Sequence, residues 1–355
     1  MNSHFQRIND FCKKFGLRSP ILLAPMAGVP APALSIAIAN CGGLGACGAL
    51  LMTPESIIAW VKEFKRSSDG PFQLNLWIPD PPPLRDPAHE LEVRQYLSKW
   101  GPPVLETAGD VLPPDFSLQC DALIEANPPM VSSVMGLYSP QFVKRLKKAG
   151  IIWIANVSTV SEAIEAEAAG ADIIVAQGAE AGGHRGCFLD ANAESQLIGL
   201  FSLLPNIVDA VNIPVVATGG IADARGVAAA VMLGASAVQV GTGFLRTPEA
   251  NLPHAWADAL AQTTPERTVL TRAFSGRLGR SIANLYVKSS MQRDVPEPSP
   301  YPVQRGLTSA MRSDAIANND LERMQAWAGQ SAKLALALPA MEVFERLCEG
   351  LPKNS

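Results

Sequence analysis

Ala169-Gly-Ala-Asp-Ile-Ile-Val-Ala-Gln-Gly178 and Leu233-Gly-Ala-Ser-Ala-Val-Gln-Val-Gly-Thr242 share one outline. In each, a glycine closes a helical pattern, a short apolar run follows, and a glycine-rich polar exit ends it. An apolar run this short between turn signals reads as a buried strand. The two copies lie 64 residues apart, from Gly170 to Gly234, which corresponds to two βα units of roughly 30 residues each. Working outward, the same alternation predicts strands over residues 21–24, 44–46, 73–76, 131–134, 152–156, 173–177, 215–218 and 237–240. Helices fall between them, as over 160–169 after Thr159 and 224–233 after Asp223, each with a plausible N-cap and a closing glycine. Eight such units between residues 20 and 241 describe an α/β protein of the (β/α)8 TIM barrel class, whose typical length is about 250 residues. A doubly wound open sheet is the alternative.

Gly43-Leu-Gly-Ala-Cys-Gly48 matches the dinucleotide fingerprint in spelling only. That fingerprint follows a strand and opens a helix. Here it follows the helical pattern of 33–40 and contains the strand itself, so it carries no Rossmann reading. The segment Ile-Pro-Asp-Pro-Pro-Pro-Leu-Arg-Asp-Pro over 78–87 is too proline-rich for a helix and reads as a rim loop. Residues 1–245 are expected to form the barrel. Residues 246–355 lose the alternation and are expected to be a C-terminal helical extension or small subdomain packed on or beside it, with helical patterns over 246–264 and 318–351.

The chain has 355 residues, 48% hydrophobic and 17% charged, and a net charge of −4 without a basic tract, so neither nucleic acid nor an anionic membrane is an expected partner. No run of 18 apolar residues and no N-terminal apolar signal core occurs, which predicts a cytoplasmic protein. The six cysteines and four histidines show no metal-ligand spacing, so no metal site is expected.

The polar residues fall at predicted strand exits, where a (β/α)8 barrel carries its chemistry. After strand six, Gln177-Gly-Ala-Glu-Ala-Gly-Gly-His-Arg-Gly186 places His184, an acid/base group that ordinarily titrates near neutral pH, behind Gly182 and Gly183. Glycine lets the main chain approach a ligand there. Strand seven ends in Gly219-Gly220 and strand eight in Val240-Gly241-Thr242. Backbone N–H groups at those turns, next to a helix start at Asp223, make an anion cradle that needs no lysine. Asn75, Gln177 and Gln239 stand where an apolar residue would be cheaper. Their amides need partners, which either neighbouring backbone or a planar heterocycle such as an isoalloxazine would supply. The first strand ends at Ala24, Pro25 and Met26, where Pro25 and Met26 would line an apolar ring face or Met26 would serve core packing alone.

These segments carry a resemblance. Together with Leu23-Ala-Pro-Met26, Asn75-Leu-Trp77, Ser275-Gly-Arg-Leu-Gly-Arg280, Tyr301-Pro-Val-Gln304 and Trp327-Ala-Gly-Gln330, the chain resembles the FMN-dependent nitronate monooxygenases, formerly 2-nitropropane dioxygenases, over nearly its whole length. The resemblance implies a barrel holding one non-covalent FMN. By it, Asn75, Gln177, Gly182, Gly219, Gln239, Val240, Gly241 and Thr242 would bind FMN and His184 would be the catalytic residue; Ala24, Pro25, Met26, Gly183 and Gly220, from their places at the same strand exits, complete the expected cofactor-binding set. It further implies oxidation of an alkyl nitronate by O2 to a carbonyl compound and nitrite, with homodimerisation open. His184 would donate to the nitro oxygens for every substrate, or abstract the α-proton of a neutral nitroalkane; the first role is the expectation. Where the family usually has Gly-Arg-Pro-Ala-Arg, this chain has Leu278-Gly279 in the middle, and Gly243-Phe244 departs from the arginine or alanine often found after the Gly-Thr pair, at the rim of the phosphate pocket. FMN-dependent enoyl-acyl carrier protein reductases and NADH:quinone reductases share the barrel and are the rival class. A non-catalytic flavin- or phosphate-binding barrel is the other.

Overall fold

The computed structural model describes residues 3–29 and 31–352. Eight parallel strands, β1 (Ile21–Leu23), β2 (Gly45–Gly48), β3 (Phe72–Trp77), β4 (Met130–Val134), β5 (Ile152–Val157), β6 (Ile173–Gln177), β7 (Val215–Thr218) and β8 (Ala237–Val240), hydrogen-bond in the order β1-β8-β7-β6-β5-β4-β3-β2. A parallel bridge between Leu22 and Leu44 joins the two ends. The sheet therefore closes on itself, and the (β/α)8 barrel is the fold.

Local sequence explains the outer helices. Thr159 accepts from the Glu162 N–H at 3.2 Å and Asp223 from the Gly226 N–H at 3.1 Å, so each caps the helix that it precedes. Gly170 and Gly234 end those helices with φ of +99° and +107°, where a side chain would be strained. Inside the barrel, Leu22, Leu44, Met130, Ile154, Ile173, Val175, Val216 and Ala237 form one apolar cluster. The N-terminal helix Ser3–Phe15 packs Ile8, Phe11, Cys12 and Phe15 against it. Its apolar face thereby plugs the barrel floor. Among the described residues no helix is long and apolar enough to cross a membrane.

The region after β8 differs from its helical expectation. Over 246–264 only His254–Gln262 is α-helical, with a 3₁₀ turn at Pro248–Ala250. Pro248 and Pro253 remove two N–H donors and break the pattern. Over 318–351 the only α-helix is Ala340–Cys348. Two unexpected strands, Thr268–Thr271 and Gly279–Ile282, pair antiparallel, and the second also pairs with Gly183–His184. The C-terminal segment thus adds a three-stranded sheet over the barrel mouth.

The last helix returns to the barrel wall. Ala340–Cys348 packs on Ala33–Asn40, Ala224–Met232 and β1, the gap in which the eighth outer helix of a (β/α)8 barrel belongs. Phe344, 3% exposed, joins the cluster that holds Ile21, Leu34 and Ile38. We propose that residues 246–352 are packed on the barrel as part of one folding unit. Phe344→Ala should then lower global stability by about 3–5 kcal/mol in a single cooperative urea transition. A loss confined to a separate, minor transition would contradict the proposal.

Candidate active site

A cavity of about 500 Å³ opens at the C-terminal ends of the strands. Thirteen of the fourteen residues singled out from sequence line it: Ala24, Pro25, Met26, Asn75, Gln177, Gly182, Gly183, His184, Gly219, Gly220, Gln239, Gly241 and Thr242. Val240 does not. Side chains alternate along a strand, so Gln239 and Gly241 face the cavity while Val240 is buried in the core among Leu23 and Phe244.

Each polar group is held by the barrel. Asn75 Nδ2 donates to Ser132 Oγ at 3.0 Å, and Gln73 Nε2 donates to Gln239 Oε1 at 3.3 Å. Gln177 spends its amide on the loop beyond it: Oε1 accepts from the Gly186 N–H at 2.7 Å and Nε2 donates to the His184 carbonyl at 3.2 Å. The Arg185 guanidinium, buried, adds a bond to the Gln177 carbonyl at 2.6 Å and reaches the Ser158 and Gln196 carbonyls, both at 3.1 Å. His184 therefore sits on a segment fixed from three directions, with the Gly279–Ile282 strand as the fourth.

His184 Nε2 lies 2.7 Å from Ser275 Oγ. Its ring is edge-on to Trp77 at 4.7 Å and to Trp327 at 4.9 Å, and Tyr301 packs on Trp77 at 5.3 Å. Desolvation in this aromatic box, followed by the Arg277 and Arg305 cations, pushes the imidazole down to about 3. It is neutral at physiological pH. Arg277 is itself neutralised by Asp80 at 2.5 Å. Arg305 lines the cavity, and among the described residues its guanidinium has neither an ion-pair nor a hydrogen-bond partner.

Sequence reasoning did not single out Ser275, Trp77, Trp327, Asn156 or Arg305 as site residues, although four of them lie in or beside quoted segments. Ser275 and Trp327 come from the C-terminal region, about 90 and 140 positions after His184 in the chain, and only the small sheet brings them together. Gly279 has a clear role there: a Cβ would lie 3.0 Å from the Trp327 ring and 3.1 Å from the Gly183 carbonyl. Phe244 is fully buried in a 3₁₀ turn rather than on the cavity rim. Lys288, the lysine of the helix Leu285–Ser290, is exposed and outside the cavity lining.

The family model for nitronate monooxygenase matches residues 9–350. The chain belongs to the nitronate monooxygenase family. It is 38% identical to a nitronate monooxygenase of Paraburkholderia phytofirmans, over 94% of this chain and 92% of that one. It is 36% identical to a probable nitronate monooxygenase of Bacillus subtilis, over 96% and 99%. Among solved structures, a nitroalkane oxidase from Streptomyces ansochromogenes superposes with a TM-score of 0.86 at 35% identity, covering 94% of this chain and 96% of that one. FabK from Thermotoga maritima gives 0.76 at 27%, covering 96% and 94%. Family membership makes the chain an enzyme, a flavin-dependent oxidoreductase.

The state of His184 has a consequence for stability. Its folded value lies below the ordinary 6.5, so between the two values unfolding takes up a proton. The stability that its neutral burial contributes is complete above about pH 6.5 and is lost as the pH falls toward 3. Thermal unfolding followed from about pH 7.5 down to 4.5 should show a steeper decline for the wild type than for His184→Asn. Parallel curves would mean that the imidazole titrates normally in the folded protein.

Proposed function

We propose that this enzyme binds one FMN non-covalently and oxidises alkyl nitronates with O2 to a carbonyl compound and nitrite. The observation that carries the cofactor assignment is the set of unused hydrogen-bonding groups in the cavity. Gly219 and Gly220 have φ of +103° and +73°, and among the described residues their N–H groups and that of Thr242 meet no protein acceptor. Such a nest of amides suits a phosphate monoester. It is kept tight by close approach of three segments: a Cβ on Gly182 would lie 2.4 Å from Gly329 N, Gly329 donates to Thr242 Oγ1 at 3.0 Å, and Ser331 donates to the Gly220 carbonyl at 2.5 Å.

The amides at the other strand exits support a flavin ring. Asn75 uses its NH2 on Ser132 and leaves its oxygen open, whereas Gln239 uses its oxygen on Gln73 and leaves its NH2 open. Asn156, 9% exposed, has a buried Nδ2 without a partner. One acceptor and two donors complement the carbonyls and ring N–H of a flavin pyrimidine edge. Ala24, Pro25 and Met26 offer it an apolar wall. FMN, when bound, supplies the electron-transfer chemistry that amino-acid side chains lack.

Within this reading His184 acts on the substrate. Nε2 is taken by Ser275, and Nδ1 has no protein partner among the described residues. A hydroxyl both donates and accepts, so Ser275 permits either tautomer. With Nδ1 protonated, His184 donates to a nitronate oxygen; with Nδ1 bare, it accepts the α-proton of a neutral nitroalkane. The reductase reading draws on the likeness to FabK. Rapid flavin bleaching on anaerobic mixing with NADH or NADPH would favour it over nitronate oxidation.

The purified protein should be yellow, and acid or heat should release FMN rather than FAD. Gly220→Asp places a carboxylate in the proposed phosphate nest and within reach of Glu180, whose side chain lies 3.3 Å from where a Cβ would stand. Flavin content should collapse with little change in far-UV circular dichroism. Full flavin in that variant would move the phosphate elsewhere.

His184→Asn should keep FMN and some oxygen uptake with preformed nitronates. It should lose about 10²–10⁴-fold on neutral nitroalkanes, provided that the wild type oxidises them. Unchanged rates on both substrate forms would remove His184 from the mechanism.

A further inference from the structure

A nitronate is an anion, and the neutral His184 brings no charge to meet it. Among the described lining residues there is no aspartate or glutamate, and the cations are Arg305 and Arg312. Their situations differ. Arg312 is committed to the protein: Nε donates to Thr308 Oγ1 at 3.1 Å, Nη1 to Gln325 Oε1 at 3.3 Å and Nη2 to the Arg305 carbonyl at 2.8 Å. It braces the short helix Val303–Leu307 that carries Arg305. The Arg305 guanidinium itself has no protein partner among the described residues.

Half-burying a cation without a counterion is costly, and a neutral side chain on this helix would avoid that cost. Burial already pushes the Arg305 guanidinium below its ordinary range, with only Tyr301 opposing. It belongs to the wall that holds Trp77, Tyr301 and His184. A guanidinium presents paired N–H donors in one plane, which match two coplanar oxygens on one atom. A carboxylate and a nitronate share that geometry.

We infer that Arg305 is the residue that binds the two nitronate oxygens, leaving His184 free to hold or accept a proton. The inference rests on the nitronate reading above. It also alters the division of labour expected from sequence, because the charge that receives the anion comes from the C-terminal segment and not from the Gly-Gly-His-Arg-Gly loop.

The test uses flavin-loaded wild type, Arg305→Lys and Arg305→Met, with flavin content and thermal stability recorded for each. Oxygen uptake is measured with propyl-1-nitronate, which has no other charge, and with the nitronate of 3-nitropropanoate, which adds a carboxylate. Nitrate, a planar non-reactive oxyanion, is titrated against the flavin absorption spectrum as a binding readout independent of turnover. In Arg305→Met, KM for both nitronates and the nitrate dissociation constant should rise about 10- to 100-fold, with flavin content unchanged. Arg305→Lys should fall between, because it keeps the charge without the fork, and it serves alone if the Met variant does not fold.

A loss restricted to the carboxylate-bearing substrate would overturn the inference by assigning Arg305 to a distal group. Loss of FMN would overturn it by assigning Arg305 to the cofactor, and unchanged constants would overturn it outright. If the wild type oxidises neither nitronate, the functional reading fails instead, and unaltered nitrate binding in the variants would still refute an oxyanion role for Arg305.

Discussion

The antiparallel pairing of Gly183 and His184 with Arg280 and Gly279 is the contact on which the rest of the site depends. It stitches a strand from the C-terminal segment onto the loop after β6. Ser275 reaches His184 from the turn before that strand, and Ser281 on the strand bridges to Trp327. Without the pairing, His184 would stand on a glycine-rich loop open to water and titrate near its usual value. With it, the ring is enclosed by two tryptophans and held at one nitrogen.

Electrostatics in the cavity follow from the same construction. The barrel contributes amides and backbone N–H groups, which are dipoles, while both cavity-lining arginines come from residues after 300. Arg277, Arg305 and Arg312 all lie close to the mouth, yet only Arg277 has carboxylate partners, Asp80 and Asp190. The Asp80 pair also ties the proline-rich rim loop to the turn that carries Ser275. A cavity with positive charges and no carboxylate among its described lining residues suits an anionic flavin phosphate and an anionic substrate together.

The helix Ala340–Cys348, far along the chain from β8, packs in the gap beside β1. That helix completes the outer ring. Residues 246–339 form an excursion over the mouth between the last barrel strand and the last barrel helix, so site assembly and barrel completion are coupled in one connection.

Sequence by itself determined the eight strands, the two capped helices and the glycine nest, because each rests on local chemistry: short apolar runs, an oxygen-bearing residue before a helix, and glycine where φ is positive. Asn75, Gln177 and Gln239 stood out because an amide in a buried strand is costly unless it is used. The helical expectation over 318–351 held only for Ala340–Cys348; before it, apolar spacing serves a non-helical segment that buries Met324, Ala326 and Ala328 beside the small sheet. Only the tertiary structure decided that Val240 faces away, that His184 is neutral, that Ser275 and Trp327 meet it, and that Arg305 is the cavity-lining cation whose guanidinium has no partner among the described residues. These depend on contacts between residues far apart in the chain, and on burial, which fixes the proton affinity of an imidazole and which periodicity alone does not specify.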